Sequence, residues 1–139
     1  MKGQESGQQE IEIAGKKLVE IAYRWDSIEA VPIYHITPMV EWNKAKEVGY
    51  YTHSSIEKEG FIHLSEIHQV HRVANYWYKD TIDPIVLEVD PSKLNVPLKY
   101  ESGGGEEEFP HIYGVIQLDA IIKIIELTKN DEGSFEALK

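Results

Sequence analysis

The sequence predicts an α+β domain with a mixed or antiparallel sheet and two helices. Strand-like and helix-like segments interleave without a regular strand–helix–strand rhythm, the segments are short, and turns are many. Length and composition agree. The chain has 139 residues, 42% of them hydrophobic and 27% charged, which suits one globular domain able to bury its own core.

The first ten residues are polar and offer nothing to bury, so a disordered tail is expected over 1–10. Residues 11–32 read as an N-terminal extension. Ile11 and Ile13 precede Gly15-Lys16, and Val19, Ile21, Tyr23 and Trp25 follow at a spacing of two, the pattern of a hairpin around a tight turn. A short helix over 17–24 is the competing reading. The main domain spans 33–127. Ile33-Tyr34-His35-Ile36 is a strand, and Thr37-Pro38 reads as an N-cap followed by proline at the first helical position. Val40, Lys44 and Val48, with Trp42 and Ala45, keep a helical period up to Gly49, a C-terminal cap. Residues 50–55 read as irregular or a short strand. Gly60-Phe61-Ile62-His63-Leu64 is the next strand, after a polar turn. Ser65 reads as the cap of a second helix, with Ile67, Val70, Val73, Ala74 and Trp77 as its apolar face. Ile85-Val86-Leu87-Glu88-Val89 is the clearest buried strand. A strand over 96–101, a flexible acidic loop over 102–108, strands near 109–113 and 115–118, a short helical turn at 118–120 and an apolar strand over 121–127 complete the domain. Residues 128–139 read as a polar C-terminal tail.

Charge and residue usage exclude several classes of function. Fourteen Lys and Arg against 24 Asp and Glu give a net charge of −10, which repels phosphate backbones, and no Lys/Arg run marks a basic groove. Nucleic acid is not an expected partner. Cysteine is absent, which rules out disulfides, thiolate metal sites and cysteine nucleophiles. No apolar run approaches the ~20 residues of a membrane span, and the polar start does not read as a signal peptide. A cytoplasmic protein without membrane partners is expected. Phosphate-binding glycine loops and the Gly-x-Ser-x-Gly elbow are also missing.

Histidine is the unusual feature. Four of the six, His35, His53, His63 and His111, sit beside turns, strand ends or aromatics. Each could as well be structural, but an imidazole can donate and accept at once, as recognition of a hydroxyl or carboxamide requires. Tyr34, Tyr50, Tyr51, Tyr100 and Tyr113 recur beside them, and aromatic walls with a few polar groups suit a small-molecule pocket. His68 and His71 share a helix face, yet helical His-x-x-His is a weak metal pattern and a solvated face accounts for it. Arg72 on the same helix reads as an exposed arginine or an anion contact. Ser65 is either a plain cap or a hydroxyl at a helix start where an anion docks.

The ordered run Ile33-Tyr34-His35-Ile36-Thr37, Trp42, Gly60-Phe61-Ile62-His63-Leu64-Ser65, Gln69, Ala74-Asn75-Tyr76, Leu87-Glu88-Val89-Asp90, Leu94, Tyr100-Glu101 and Phe109-Pro110-His111-Ile112-Tyr113-Gly114 resembles the domain of unknown function 952 family over about 33–125. The fold of that family is similar to that of ADP-ribosyltransferases. The similarity implies a split, strongly bent, mostly antiparallel sheet around a central cleft for NAD, which would be a substrate; no resident cofactor and no metal are expected. His35 matches the first-strand residue that binds the nicotinamide side. His63 matches a second-strand histidine used by the branch that includes the RNA 2′-phosphotransferases. The last motif has no aligned glutamate, so Glu101 or Glu108 would have to substitute. Only Arg24 and Arg72 are present, so an RNA 2′-phosphate is not expected. Residues and resemblance together make His35, His63, His111 and Glu101 the catalytic candidates and Tyr34, Ser65, Tyr100, Tyr113 and Gly114 the ligand contacts. Two functions lead, an enzyme that transfers or hydrolyses ADP-ribose and a non-catalytic module for a nucleotide-like ligand; a third, a metal hydrolase, rests only on the weak His68–His71 pair. The extension offers a surface for a homo-oligomer. Deleting residues 1–30 should therefore lower the stability of the remaining domain or change its sedimentation coefficient. If neither moves, the extension neither covers the domain nor pairs chains.

Overall fold

The computed structural model describes residues 31–102 and 104–138. The expected tail over 1–10 and the hairpin of the extension lie outside them. The order is β1 (Ile33–Pro38), α1 (Met39–Val48), β2 (Tyr50–Tyr51), α2 (Ser55–Glu59), β3 (Ile62–His63), α3 (Val70–Trp77), β4 (Pro84–Val89), β5 (Leu98–Ser102), β6 (Glu108–Ile112), β7 (Ile116–Gln117) and β8 (Ile121–Glu126). Pro91–Lys93 and Leu118–Ala120 form 3-10 turns. The strands make three small antiparallel sheets ordered β1-β4-β8, β3-β6-β5 and β2-β7. The α+β class expected from the sequence is what forms. The helices number three among the described residues, not two, because the polar stretch 55–59 closes a single turn that is too short to show a period.

β4 lies between β1 and β8, which pair both of its edges, and its two faces enter two apolar clusters, so Ile85, Val86, Leu87 and Val89 are all buried. A fully buried Val, Leu or Ile contributes roughly 1.5–3 kcal/mol of transfer free energy. One core contains Ile33, Ile62, Leu64, Leu87, Ile112 and Ile116 and draws on all three sheets. A second lies on the other face of β1, where Tyr34 and Ile36 meet Val70, Ala74, Val86 and Phe135. Alternation along β1 therefore sends His35 and Thr37 to the face opposite Tyr34.

Two helix starts differ from expectation. Thr37 and Pro38 remain in β1, paired with Ile85 and Pro84, and Pro38 is itself the residue before the helix, in extended conformation. Thr37 is held in the strand by its ladder pairing and by Tyr51, whose hydroxyl lies 2.9 Å from its own. Ser65 caps nothing. It exchanges both backbone bonds with Tyr34, at 2.7 and 2.8 Å, and is buried, while α3 begins at Val70. Gln69 is the residue before the helix, and its side chain makes no cap bond to it; its Oε1 accepts the Glu66 N–H of the preceding turn at 2.8 Å. Ile67 falls before α3 and Trp77 ends it, and both are exposed, so the buried face of the helix is carried by Val70 and Ala74. The C-terminal helix cap at Gly49 is as expected, with φ 98° and its N–H on the Ala45 carbonyl.

The C-terminal segment is polar in composition, yet it docks. Phe135 is buried, and the Asn75 side chain takes its N–H at 2.7 Å and donates to its carbonyl at 3.1 Å. Gly114 closes the last motif at φ 154°, where a Cβ would sit 2.6 Å from a Val96 methyl and 3.0 Å from its Cβ. No rotation of valine about its own χ1 relieves a clash with its Cβ. Gly114→Ala should therefore cost about 1–3 kcal/mol in urea unfolding, and Val96→Ala should recover part of that loss. Equal stability of Gly114→Ala and wild type would show that the backbone yields there.

Candidate functional site

His35 is buried on β1 beneath the histidine-rich surface. Its Nδ1 lies 2.7 Å from the His63 carbonyl, which can only accept, so that nitrogen carries the proton. Nε2 is then an acceptor for the Tyr51 hydroxyl at 2.8 Å, and the Thr37 hydroxyl completes the chain. Burial pushes the imidazole pKa down to about 3, against the opposing pull of the His63 carbonyl. Burial also raises the Tyr51 phenol. His35 is thus a neutral connector of β1, β2 and β3, with both nitrogens occupied. His53 lies beside it, ring centroids 5.5 Å apart, and its Nδ1 accepts the Ser55 N–H at 3.0 Å. Burial lowers the pKa of His53 too.

The surface above is built by β3 and β6. Antiparallel pairing puts His63 directly opposite His111, and their rings meet edge to face at 5.0 Å. Each imidazole has its own carboxylate. Glu59, four residues earlier at the end of α2, is 2.6 Å from His63 Nε2, in an exposed pair worth little to stability. Glu101 of β5 is 2.8 Å from His111 Nδ1, and the same oxygen accepts the Tyr113 hydroxyl at 2.6 Å. Those two bonds, Tyr113's first, hold the Glu101 carboxyl below the usual range, and the Tyr113 phenol is pushed up to about 12. A carboxylate on Nδ1 fixes the proton there, so His111 Nε2 is left as the acceptor, with no hydrogen-bond partner among the described residues. Phe61 sits among them, stacked on His111 at 4.1 Å and near His63 at 4.8 Å and Tyr113 at 5.2 Å. Lys99 Nζ lies 4.8 Å from the Tyr113 ring centroid.

Of the residues singled out in the sequence, His63, His111, Glu101 and Tyr113 come together. His35 touches them only through the His63 carbonyl. Tyr34 stands apart on the other face of β1, and Ser65 is bonded to it rather than to the histidines. Tyr100 points away from Glu101, since neighbours on a strand face opposite sides, and its phenol is raised by burial and then by Glu66. Gly114 is tied to Val96 packing. Phe61, Glu59 and Lys99 were not anticipated as a group. Their signals were present: Phe61 is two residues from His63, Glu59 is four, and Lys99 pairs opposite His111.

Among the described residues no group of three or more ligating side chains could hold a metal ion. His68 is 3.8 Å from Glu66, and His71 Nδ1 is buried without a partner among those residues. Arg72 has an anion after all: its guanidinium forks onto Glu107 at 2.9 and 2.7 Å, and the Gln69 amide adds a third bond at 2.9 Å. The Arg72 bonds lead in holding that carboxyl down to about 2, so the acidic loop is anchored at its end. A cavity of about 390 Å³ opens elsewhere, lined by Gly49, Tyr50, Val115, Gln117, Leu118 and Asp119. No helix among the described residues is long and apolar enough to cross a membrane.

The family model described as protein of unknown function DUF952 matches residues 36–124. Solved structures of CC0527 from Caulobacter crescentus are similar. Its crystal structure has a TM-score of 0.68 at 28% identity, covering 76% of this chain and 93% of that one. A crystal structure of a double methionine mutant scores 0.68 at 27% identity over the same shares. The solution structure scores 0.65 at 28%, covering 75% and 90%. No curated protein matches. The ADP-ribosyltransferase fold implied by the resemblance finds no support in these neighbours.

Stability should carry the signature of buried His35. Its folded pKa, about 3, lies below the ordinary 6.5, so the unfolded chain binds the proton first. The stabilisation is complete above the unfolded value and is lost as pH falls from there towards 3, by up to about 1.4 kcal/mol per pH unit. Urea unfolding between pH 6 and 5, where carboxylates stay charged, should show this slope, with His53 adding in the same direction. His35→Gln should be less stable at pH 7 but flatter across that window. An unchanged slope would contradict the assignment.

Proposed function

The chain belongs to the DUF952 family, and from that premise and the site geometry we propose that it binds a nucleotide-like small molecule over Phe61, His63, His111 and Tyr113 and cleaves it by acid–base chemistry, NAD being the first candidate. One observation carries this reading: a single Glu101 oxygen fixes both His111 Nδ1 and the Tyr113 hydroxyl, which leaves His111 Nε2 as a base beside the His63 ring. The carboxylate also supplies, from a neighbouring strand, the glutamate that the last motif lacks.

In the NAD reading the bond between the nicotinamide nitrogen and ribose C1′ breaks, and its electron pair leaves with nicotinamide. The carboxylates of Glu101 and Glu59 offset the positive charge that develops on the ribosyl group. His111 Nε2 takes the proton of the attacking water or acceptor hydroxyl as its oxygen bonds C1′. Phe61 and Tyr113 supply flat surfaces against which a base or pyridine ring stacks. His35 does not touch the ligand. It is a positioning residue that holds the His63 backbone.

The non-catalytic module is the second reading. The sealing of His35 favours it, because the residue matched to nicotinamide binding has no free nitrogen. A thermal-shift screen with NAD and ADP-ribose tests both. A ligand at 100 times its dissociation constant should add about 2.7 kcal/mol, and His111→Ala or Glu101→Gln should weaken that response. Release of nicotinamide from NAD identifies the enzyme, and binding without release identifies the module. No stabilisation by either compound would sink both.

A further inference from the structure

His111 supplies the base in the acid–base reading, yet only 5% of its side chain is exposed. The groups packed around it are held in different ways. Glu101 is hydrogen-bonded both to it and to Tyr113. The His63 backbone is fixed by its pairing with β6 and by His35. Phe61 rests on ring contacts instead. Its ring lies flat on His111, with centroids 4.1 Å and planes 17° apart, and so covers one face of the imidazole. Phe61 is half-buried and belongs to neither apolar core of the described residues. The backbone on either side of it is fixed. Gly60 closes α2 with its N–H on the Ser55 and Ile56 carbonyls, and Ile62 is paired with Ile112. Rotation of Phe61 about its own Cα–Cβ bond therefore breaks ring stacking and strands no buried polar group, which makes it the least costly movement that uncovers His111.

We propose that Phe61 is the gate of this site. Its ring closes over His111 in the free protein and rotates outward, with the backbone still, to let a ligand reach the imidazole. This rests on the acid–base reading of the site and adds how its base is reached. The opposite case is a structural His111, sealed by packing, which meets solvent only when the domain unfolds. The two cases differ in what opens the site: one side chain, or the whole core.

Labelling of imidazoles by diethyl pyrocarbonate, mapped by peptide mass, separates them without any ligand. In the full chain His68, with 66% of its side chain exposed, marks the open rate, and buried His35 marks the rate of unfolding. His111 should react roughly tenfold more slowly than His68 because the Phe61 stack must first be broken. Urea below the unfolding transition should speed His35 and leave His111 unchanged, since turning one ring exposes little new surface. Phe61→Ala should bring His111 close to the His68 rate while His35 stays protected. A wild-type His111 as fast as His68 overturns the gate, because nothing closes the site. A His111 rate that rises with urea in step with His35 overturns it as well, and so does a folded Phe61→Ala protein with His111 still slow. Should Phe61→Ala expose His35, and so fail to fold, the wild-type urea series decides. If neither NAD nor ADP-ribose binds, the nucleotide reading fails, and the labelling still decides whether Phe61 opens.

Discussion

The site depends on one buried imidazole. His35 donates to the His63 carbonyl and accepts from Tyr51, and so ties β1 to β3 and β2 at the point where three small sheets share one core. Among the described residues none of these sheets is large: two have three strands and one has two. Short strands hold each other weakly, and a polar group sealed between them costs about 1–3 kcal/mol if its partners are lost. That penalty makes the arrangement specific. β3 cannot slip by one residue without leaving His35 Nδ1 unpaired, and such a slip would also turn His63 away from His111.

The four histidines of this region show how burial assigns roles to one residue type. His35 is sealed and neutral, a fixed donor and acceptor. His53 is half-buried and bound to a backbone N–H. His63 is open to solvent with a carboxylate on Nε2. His111 is packed against Phe61 with a carboxylate on Nδ1. The last two each hold a carboxylate on one ring nitrogen, His63 in the open and His111 buried. The carboxylates that hold them, Glu59 and Glu101, both remain partly exposed.

Much of this was legible along the chain. Ile85 to Val89 reads as a buried strand because continuous apolar sequence suits a strand covered on both faces, and the two faces of β4 do enter separate apolar clusters. The first helix ends at Gly49 as read, because a left-handed residue closes a helix whatever surrounds it. The candidate site was half legible. His63, His111, Glu101 and Tyr113 were named, and they meet. Tyr34 and Tyr100 do not join them, because neighbours along a strand face opposite sides, and Ser65 does not because its backbone is paired with Tyr34.

Local pattern alone was enough for the α+β class, the strands of the first sheet and the histidine-rich motifs, since periodicity, turn residues and composition act within a few residues of chain. It could not reach the contacts made across the fold. Ser65 looks like a helix cap until Tyr34, 31 positions earlier, takes its backbone bonds. The tail looks free until Asn75 claims Phe135, 60 positions later. Glu101 has no visible partner until β5 and β6 pair and bring His111 to its side. Hydrogen bonds and packing between distant segments depend on register and on which face each strand buries, and those are settled only when the three sheets close on their common core.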